Sequence, residues 1–265
     1  MSTRALVPPT SPDTRRPPRL PDVLGIEVLD EMRGIYREPT ALFFAVVMPV
    51  MFFALFASLF GGEQLDAVGR PVGTTMLATF GAYGVIVTAM TTPGIGLAEA
   101  RERGWLRQLK VSPVPIPVTL TAKVIATFPY CVGIRTAMTA TAAALGVLQI
   151  SVLEWVMLVL ALVIGSLPFA LIGLAVGSLA SGNATTAILN AIIIPMAVAG
   201  GLWFPLEMLP GWMMSIARLL PTHHLSRVAL AALHSQPWAG HVAYLLVFTA
   251  LAGVAATMAY RRSPV

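Results

Sequence analysis

Residues 155–180 read WVMLVLALVIGSLPFALIGLAVGSLA, a run of 26 residues without a charged side chain. An α-helix needs about 20 apolar residues to cross the roughly 30 Å hydrocarbon core of a bilayer, where it satisfies its own backbone hydrogen bonds. A helix on the surface of a soluble domain would carry a polar face, and this segment has none. The segment therefore predicts a membrane-spanning helix.

The rest of the chain has the same character. Only 11% of its 265 residues are charged, against roughly 25% in soluble domains, and the mean hydropathy is +0.80. Uncharged or nearly uncharged stretches predict spans at about 40–60, 73–97, 124–149, 155–180, 185–204 and 238–260. The sequence thus predicts an all-α integral membrane protein with six transmembrane helices.

The basic residues are segregated between the two sides of these spans. Thirteen of the 17 lysines and arginines lie before the first span, between the second and third, or after the sixth. Only Arg70, Arg218 and Arg227 lie on the other side, and Arg135 lies inside the third span. Because basic loops stay in the cytoplasm, we expect both termini to be cytoplasmic. The Arg-rich, Lys-poor and Ala-rich composition favours a bacterial plasma membrane.

The N-terminal region divides into two parts. Residues 1–21 contain six prolines and little apolar bulk, which predicts a disordered cytoplasmic tail. No apolar signal-peptide core occurs in the first 39 residues, so we expect this tail to be retained. Residues 22–39 alternate apolar and charged positions at helical spacing, which predicts an amphipathic helix in the membrane interface. A cytoplasmic helix packed on another protein is the alternative. Residues 40–265 would form the transmembrane domain.

The sequence offers little for catalysis. No HExxH, GxSxG or paired-carboxylate arrangement is present, and no acidic residue lies within a predicted span. His223 and His224 are adjacent, with no Cys or Asp near them in the sequence, and Cys131 is the only cysteine. We therefore predict neither a catalytic residue nor a metal site, and we expect no nucleic-acid partner.

The two lysines settle the question of a nucleotide site. A P-loop needs a lysine directly after glycine to reach the phosphates. Lys110 follows Leu109, and Lys123 follows Ala122. Any ATP-driven role would therefore need an ATPase from another chain.

The segment 99–113, EARERGWLRQLKVSP, is the most informative part of the predicted cytoplasmic loops. It predicts a short charged helix that Ser112-Pro113 ends, with Glu99 and Arg103 paired at i and i+4. A small apolar face remains, formed by Trp105, Leu106 and Leu109. This face favours docking on another protein, and a basic loop lying on anionic headgroups is the alternative.

This segment and residues 200–212, GGLWFPLEMLPGW, resemble matching stretches in the type-2 permeases of ATP-binding cassette (ABC) transporters. The similarity is to drug-resistance or multidrug exporter-like subunits, and it extends from about Leu24 to the C-terminus. It implies a permease that pairs with a second copy or a close relative. Each half would rest on a separate ATPase subunit, which binds ATP and Mg, and this chain would hold no cofactor.

The resemblance also implies roles for particular segments. The family's coupling helix would correspond to residues 99–109, with an ATPase-coupling role for Glu99, Arg101, Glu102, Arg103, Trp105, Leu106, Arg107 and Leu109. Short re-entrant helices would lie between the fifth and sixth spans, part-way into the outer leaflet. We expect an exporter that moves an amphiphilic drug, antibiotic or lipid-like molecule outward through the membrane. A polysaccharide or lipid exporter is an alternative within the class, and an ATP-independent channel or assembly factor is one outside it.

Two polar residues are candidates for the substrate pathway. Arg135 lies roughly 18 Å beyond Lys123 on a helix, near mid-membrane, where its charge costs about 3 kcal/mol if it faces lipid. Alternatively, the third span begins after Pro129 and leaves Arg135 at the cytoplasmic interface. Asn190 is the second candidate.

A pair of glycines in the fourth span predicts close contact between helices. Gly173 and Gly177 have small-xxx-small spacing, which lets two helix backbones approach. The pair could lie at a dimer interface or pack within one subunit.

Overall fold

The computed structural model describes residues 20–36, 39–62, 65–66, 69–104, 116–204, 206–234 and 236–263. Within these ranges the regular secondary structure is helical, apart from one isolated bridge that pairs Leu65 with Pro71. The described part of the chain therefore agrees with the predicted all-α class. The predicted disordered tail lies almost wholly outside these ranges, since α1 begins at Leu20.

The helices run in chain order as α1 (Leu20–Tyr36), α2 (Pro39–Phe60), α3 (Val72–Glu102), α4 (Ile116–Ala144), α5 (Val152–Gly165), α6 (Leu167–Gly177), α7 (Gly182–Ala199), α8 (Gly211–Ala217), α9 (Pro221–His234) and α10 (Ala239–Arg261). One 3-10 turn, Leu206–Met208, lies between α7 and α8. Short helices therefore do occupy the segment between the fifth and sixth predicted spans.

Five segments are long and apolar enough to cross a membrane: Val72–Glu102, Pro117–Ala144, Val152–Gly177, Gly182–Ala199 and Ala239–Arg261. They correspond to the second to sixth predicted spans. The first predicted span is α2, a 22-residue helix whose apolar part with described side chains, Val46–Phe60, is shorter than a full span. A crossing by α2, which would bring the number of spans to six, therefore stays a prediction.

The helix at the third predicted span, α4, has different bounds from the predicted 124–149. Helix α4 begins eight residues before the predicted start, because Lys123 does not end it: the Lys123 ammonium is buried and lies 2.6 Å from Glu31 of α1. It ends at Ala144, before Gly146, whose φ of +71° is a backbone conformation that favours glycine. Boundaries drawn from charge alone fail where an ion pair lets a charged side chain sit within a helix.

The fourth predicted span is interrupted. Ser151 and Glu154 form a reciprocal capping box that fixes the start of α5. At Ser166 the helix breaks, and Pro168 sits in the first turn of α6, where its missing N–H costs nothing. The span is therefore two helices, α5 and α6, that follow each other across the bilayer.

Helix α3 forms the centre of the bundle and packs on α2, α4, α6 and α7. Its contact with α6 is backbone to backbone: a Cβ atom on Gly173 would lie 2.0 Å from the Met90 carbonyl oxygen, and one on Gly177 would lie 2.0 Å from that of Gly94. Only glycine fits such an approach. Of the two roles considered for this glycine pair, the structure shows packing within one chain.

Because successive long helices run antiparallel, the loops that connect them lie at the two ends of the bundle. The basic end holds residues 99–104, residues 178–182 and Arg261. The far end holds residues 145–151 and the helices α8 and α9.

Candidate functional site

The last turn of α3 is bound to the end of α6. The Arg101 guanidinium donates from Nη1 to the carbonyl oxygens of Gly177, at 2.9 Å, and Ala180, at 3.2 Å. The last carbonyls of a helix lack partners within the helix, and a cation near that end is also favoured by the helix dipole. Arg101 therefore ties the ends of α3 and α6 together.

The neighbouring residue binds the start of the next helix. The backbone N–H of Gly182, the first residue of α7, donates to Glu102 Oε1 at 3.2 Å. A carboxylate at a helix N-terminus accepts from an otherwise unpaired N–H and is favoured by the dipole. Arg101 and Glu102 thus bind the two sides of the turn that joins α6 to α7.

Of the other two described residues of the predicted coupling segment, Arg103 faces outward, whereas Glu99 is half-buried, and a Cβ on Gly182 would lie 3.3 Å from its Cγ. Arg103 Nη2 lies 3.4 Å from Glu99 Oε2, with the Arg103 side chain 66% exposed. Such an exposed i, i+4 pair stabilises a helix by only about 0.3–0.5 kcal/mol. Glu99 and Arg103 therefore form a charged surface next to the turn and leave the binding of the turn to Arg101 and Glu102.

The predicted separate helix from Glu99 onward is instead the continuation of α3. Residues 99–102 form the last turn of this 31-residue helix, which is about 46 Å long. The remaining predicted coupling residues, Trp105, Leu106, Arg107 and Leu109, lie outside the described residues. A displacement at residues 99–104 is consequently applied directly to a membrane span.

Helix α1 joins the bundle beside this site. Besides the ion pair of Lys123 with Glu31, Tyr130 donates from its hydroxyl to the Met32 carbonyl oxygen at 3.2 Å. Burial against α4 raises the pKa of Glu27, and the neighbouring Glu31 and Asp30 raise it further.

The side of α1 that we expected to face lipid is half-buried in the chain. Leu24 and Val28 are half-buried on the face that packs on α4, whereas Ile26 and Leu29 are 60% and 54% exposed. Because α4 covers the face of α1 that carries Leu24 and Val28, this face does not need another protein as a packing partner. A location of α1 in the membrane interface stays a prediction, with Ile26 and Leu29 as the apolar residues free to contact lipid.

Arg135 is fully buried between α4 and α3. Its Nη1 donates to the Leu77 carbonyl oxygen, and a Cβ on Gly81 would overlap that nitrogen. The Nε and Nη2 atoms have no hydrogen-bond partner among the described residues. Helix α4 runs through Pro129, and the alternative in which the span begins after this residue stays a prediction. In this conformation the guanidinium faces neither lipid nor an open path.

Asn190 lies on the exposed face of α7, seven residues after the exposed Asn183. Buried residues of α7, such as Thr185 and Leu189, contact the rest of the chain on the opposite face. Side-chain amides in hydrocarbon are costly unless a second helix or water satisfies them. This face therefore requires polar cover that the described chain does not itself supply.

A polar network at the far end was not predicted from the sequence. Asp66 Oδ2 accepts from His234 Nε2 at 2.9 Å and from the Thr75 hydroxyl at 2.8 Å. Arg70 Nη2 lies 2.7 Å from Glu154 Oε1. These pairs join residues up to 168 positions apart in the sequence. The only sequence feature that could have indicated them is the presence of charged residues in short, otherwise apolar connections.

These features define the class: a multi-pass helical membrane protein whose polar contacts tie the end of one span to the turn between two others. The chain belongs to the ABC-2 type transporter family, which it matches over residues 26–234. It is similar to the protein named "Putative transport permease YvfS" from Bacillus subtilis (strain 168). The two are 26% identical over 235 residues, which cover 87% of this chain and 95% of that one.

The family match confirms the resemblance found in the sequence. ABC-2 permeases are the membrane subunits of transporters and not catalytic enzymes, and the family implies an ABC ATPase as partner. The chain is therefore an ABC-2 transport permease, and it is a multi-pass membrane protein.

Proposed function

We propose that this chain is the permease subunit of an ATP-driven exporter that moves an amphiphilic drug, antibiotic or lipid-like molecule outward. The chain would cross a bacterial plasma membrane six times, with α2 as the first span and the basic end in the cytoplasm. A separate ATPase would bind ATP and Mg. The observation that carries this proposal is the pair of contacts from Arg101 and Glu102 to the turn between α6 and α7.

These contacts support a mechanical route from an ATPase to the spans. An ATPase that grips the segment after α3 would displace residues 99–104. Because α3 is continuous, and because Arg101 and Glu102 hold α6 and α7, the three helices would move together. The route needs no reacting group in this chain.

The proposal divides the coupling residues into two groups. Arg103 is outward-facing and Glu99 is half-buried next to it, and both would contact the ATPase together with the residues after them in sequence, Trp105, Leu106, Arg107 and Leu109. Arg101 and Glu102 would pass the movement on without touching the ATPase.

The exposed face of α7 suits the second copy and the substrate pathway. Asn183 and Asn190 would find polar partners on a second copy, or on a substrate that has both polar and apolar parts. Arg135 would join the pathway only after α3 and α4 move apart, since it is closed off here. An amphiphilic cargo fits a surface of apolar residues interrupted by amides.

The test is co-purification of the tagged full-length chain with its ATPase from the native host. We expect the variant Arg103→Glu/Trp105→Ala/Arg107→Glu to lose the ATPase. Arg261→Glu is the matched control, because it reverses an exposed charge at the same end of the bundle and should keep it. Retention of the ATPase by the triple variant would contradict the assigned docking surface.

A further inference from the structure

Three imidazoles meet where α9 and α10 begin. His224 of α9 and His241 of α10 are joined directly, with 2.8 Å between their Nδ1 atoms. His224 Nε2 lies 2.9 Å from the carbonyl oxygen of Arg218, at the end of α8. The His223 ring lies 5.5 Å from that of His224 and 6.0 Å from that of His241. The coupling site at the basic end does not involve these residues.

The contact partners fix the tautomers of the two joined rings. A carbonyl oxygen only accepts, so His224 Nε2 carries the hydrogen in that contact. A neutral imidazole has a single N–H, and His224 Nδ1 must therefore be the acceptor towards His241. His241 consequently carries its hydrogen on Nδ1.

An aromatic contact holds the acceptor ring in place. The ring of Tyr244 stacks on that of His224, with 3.7 Å between centroids and 13° between planes. The Tyr244 hydroxyl donates to the Leu219 carbonyl oxygen at 2.6 Å. Tyr244 therefore binds both the His224 ring and the turn before α9, and it limits rotation of the imidazole away from His241.

We propose that His224 and His241 form a proton-sensitive latch that holds the start of α9 on the start of α10. One added proton can be accepted at His241 Nε2 while Nδ1–H still donates to His224. A second proton must occupy His224 Nδ1, which leaves two N–H groups facing each other across 2.8 Å and two adjacent cations. The latch is closed with at most one added proton and open with two.

The surrounding charges favour opening once both rings are protonated. On α9 the nearby titratable or charged groups are His223 and Arg227, at the end of α8 there is Arg218, and on α10 there is Tyr244. Burial, with the positive neighbours adding to it, lowers the pKa of His223 to about 4. Among the described residues around the pair, the charged groups that act on it are cationic.

The consequence is a far end that loosens in acid. Two coupled sites bind their protons in two steps, the second at a lower pH than the first. Above the first step α9 is held on α10, and below the second step it is released. The latch depends only on the contact between α9 and α10, so it can be tested without an ATPase and stands apart from the proposed function.

The direct test is a pH titration of the full-length chain in nanodiscs, with ¹⁵N in the histidine rings. The sequence has only four histidines, which makes the spectrum readable. We expect His224 as the Nε2–H tautomer and His241 as the Nδ1–H tautomer at pH 7.5, with a coupling between their Nδ1 atoms across the hydrogen bond. The coupling should vanish when both rings are charged. Independent titration without coupling at neutral pH would overturn the latch.

Amide exchange of residues 222–226 gives a second readout. In His241→Asn the side-chain amide can still donate at the Nδ1 position but does not titrate, so protection should no longer depend on the charge of residue 241. In the unaltered chain, protection should fall about tenfold when the latch opens. His234→Asn is the matched control: it removes the histidine at the other end of α9 and should keep the response. A response unchanged in His241→Asn would contradict the latch.

Discussion

Gly81 and Arg135 depend on each other inside the bundle. The guanidinium occupies the space that any side chain at position 81 would fill, and its Nη1 atom binds the carbonyl oxygen of Leu77 one turn earlier on α3. A buried cation without a carboxylate partner is costly, so it persists only where backbone acceptors and space are provided. The glycine provides that space.

We predict that Gly81→Ala destabilises the chain by about 1–3 kcal/mol, because the added methyl group must displace the Arg135 guanidinium from a packed interior. The measurement is thermal unfolding in detergent micelles. Gly133→Ala is the matched control, since a Cβ at that position on α4 meets nothing within 4 Å. Equal melting temperatures for the two variants would contradict the packing described for Arg135.

At the scale of elements, one short turn links three helices. The turn at residues 178–182 follows α6 and precedes α7, and α3 holds it through Arg101 and Glu102. Hydrogen bonds that involve a charged group contribute about 1.5–3 kcal/mol each. In the proposed function these contacts make the three helix ends move together.

We predict opposite effects for two neighbouring arginines. Arg101→Met should keep the ATPase bound but lower substrate-stimulated ATP hydrolysis about tenfold, since a lost charged hydrogen bond is of that order. Arg103→Met should weaken ATPase binding and spare the contact with the turn. The measurements are co-purification and ATP hydrolysis by the purified complex. Loss of the ATPase in Arg101→Met would show that this side chain faces the partner.

The helices themselves could largely be predicted from the sequence, because runs of uncharged residues mark membrane spans. Their ends could not, since they depend on distant partners. Lys123 lies inside α4 with its ammonium buried, 2.6 Å from Glu31, which is 92 residues earlier in the chain. The break at Ser166 lies in a uniformly apolar stretch, where hydropathy carries no signal.

The candidate site was predicted only in part, for a similar reason. The charged segment after the second span was visible in the sequence, but the inward direction of Arg101 and Glu102 follows from the position of a turn some 80 residues away. The contact of His224 with His241 depends on how α9 and α10 meet. Neither arrangement has a local sequence pattern.

At the scale of the whole molecule, the two ends of the bundle have different chemistry. The basic end carries the charged contacts that suit an ATPase, and the far end carries the His224–His241 pair, the contact of Asp66 with His234 and the Arg70–Glu154 ion pair. Between them α3 contacts most of the other spans. In the proposed function, movement would pass from one end of the bundle to the other through this central helix.

The most direct test of the central claim is purification of the tagged full-length chain from its native host in several mild detergents. The eluate is then assayed for vanadate-sensitive ATP hydrolysis. We predict a stoichiometric P-loop ATPase in the complex, with hydrolysis that vanadate abolishes. An oligomer free of any ATPase in every detergent would contradict an ATP-driven permease and would favour a channel or an assembly factor.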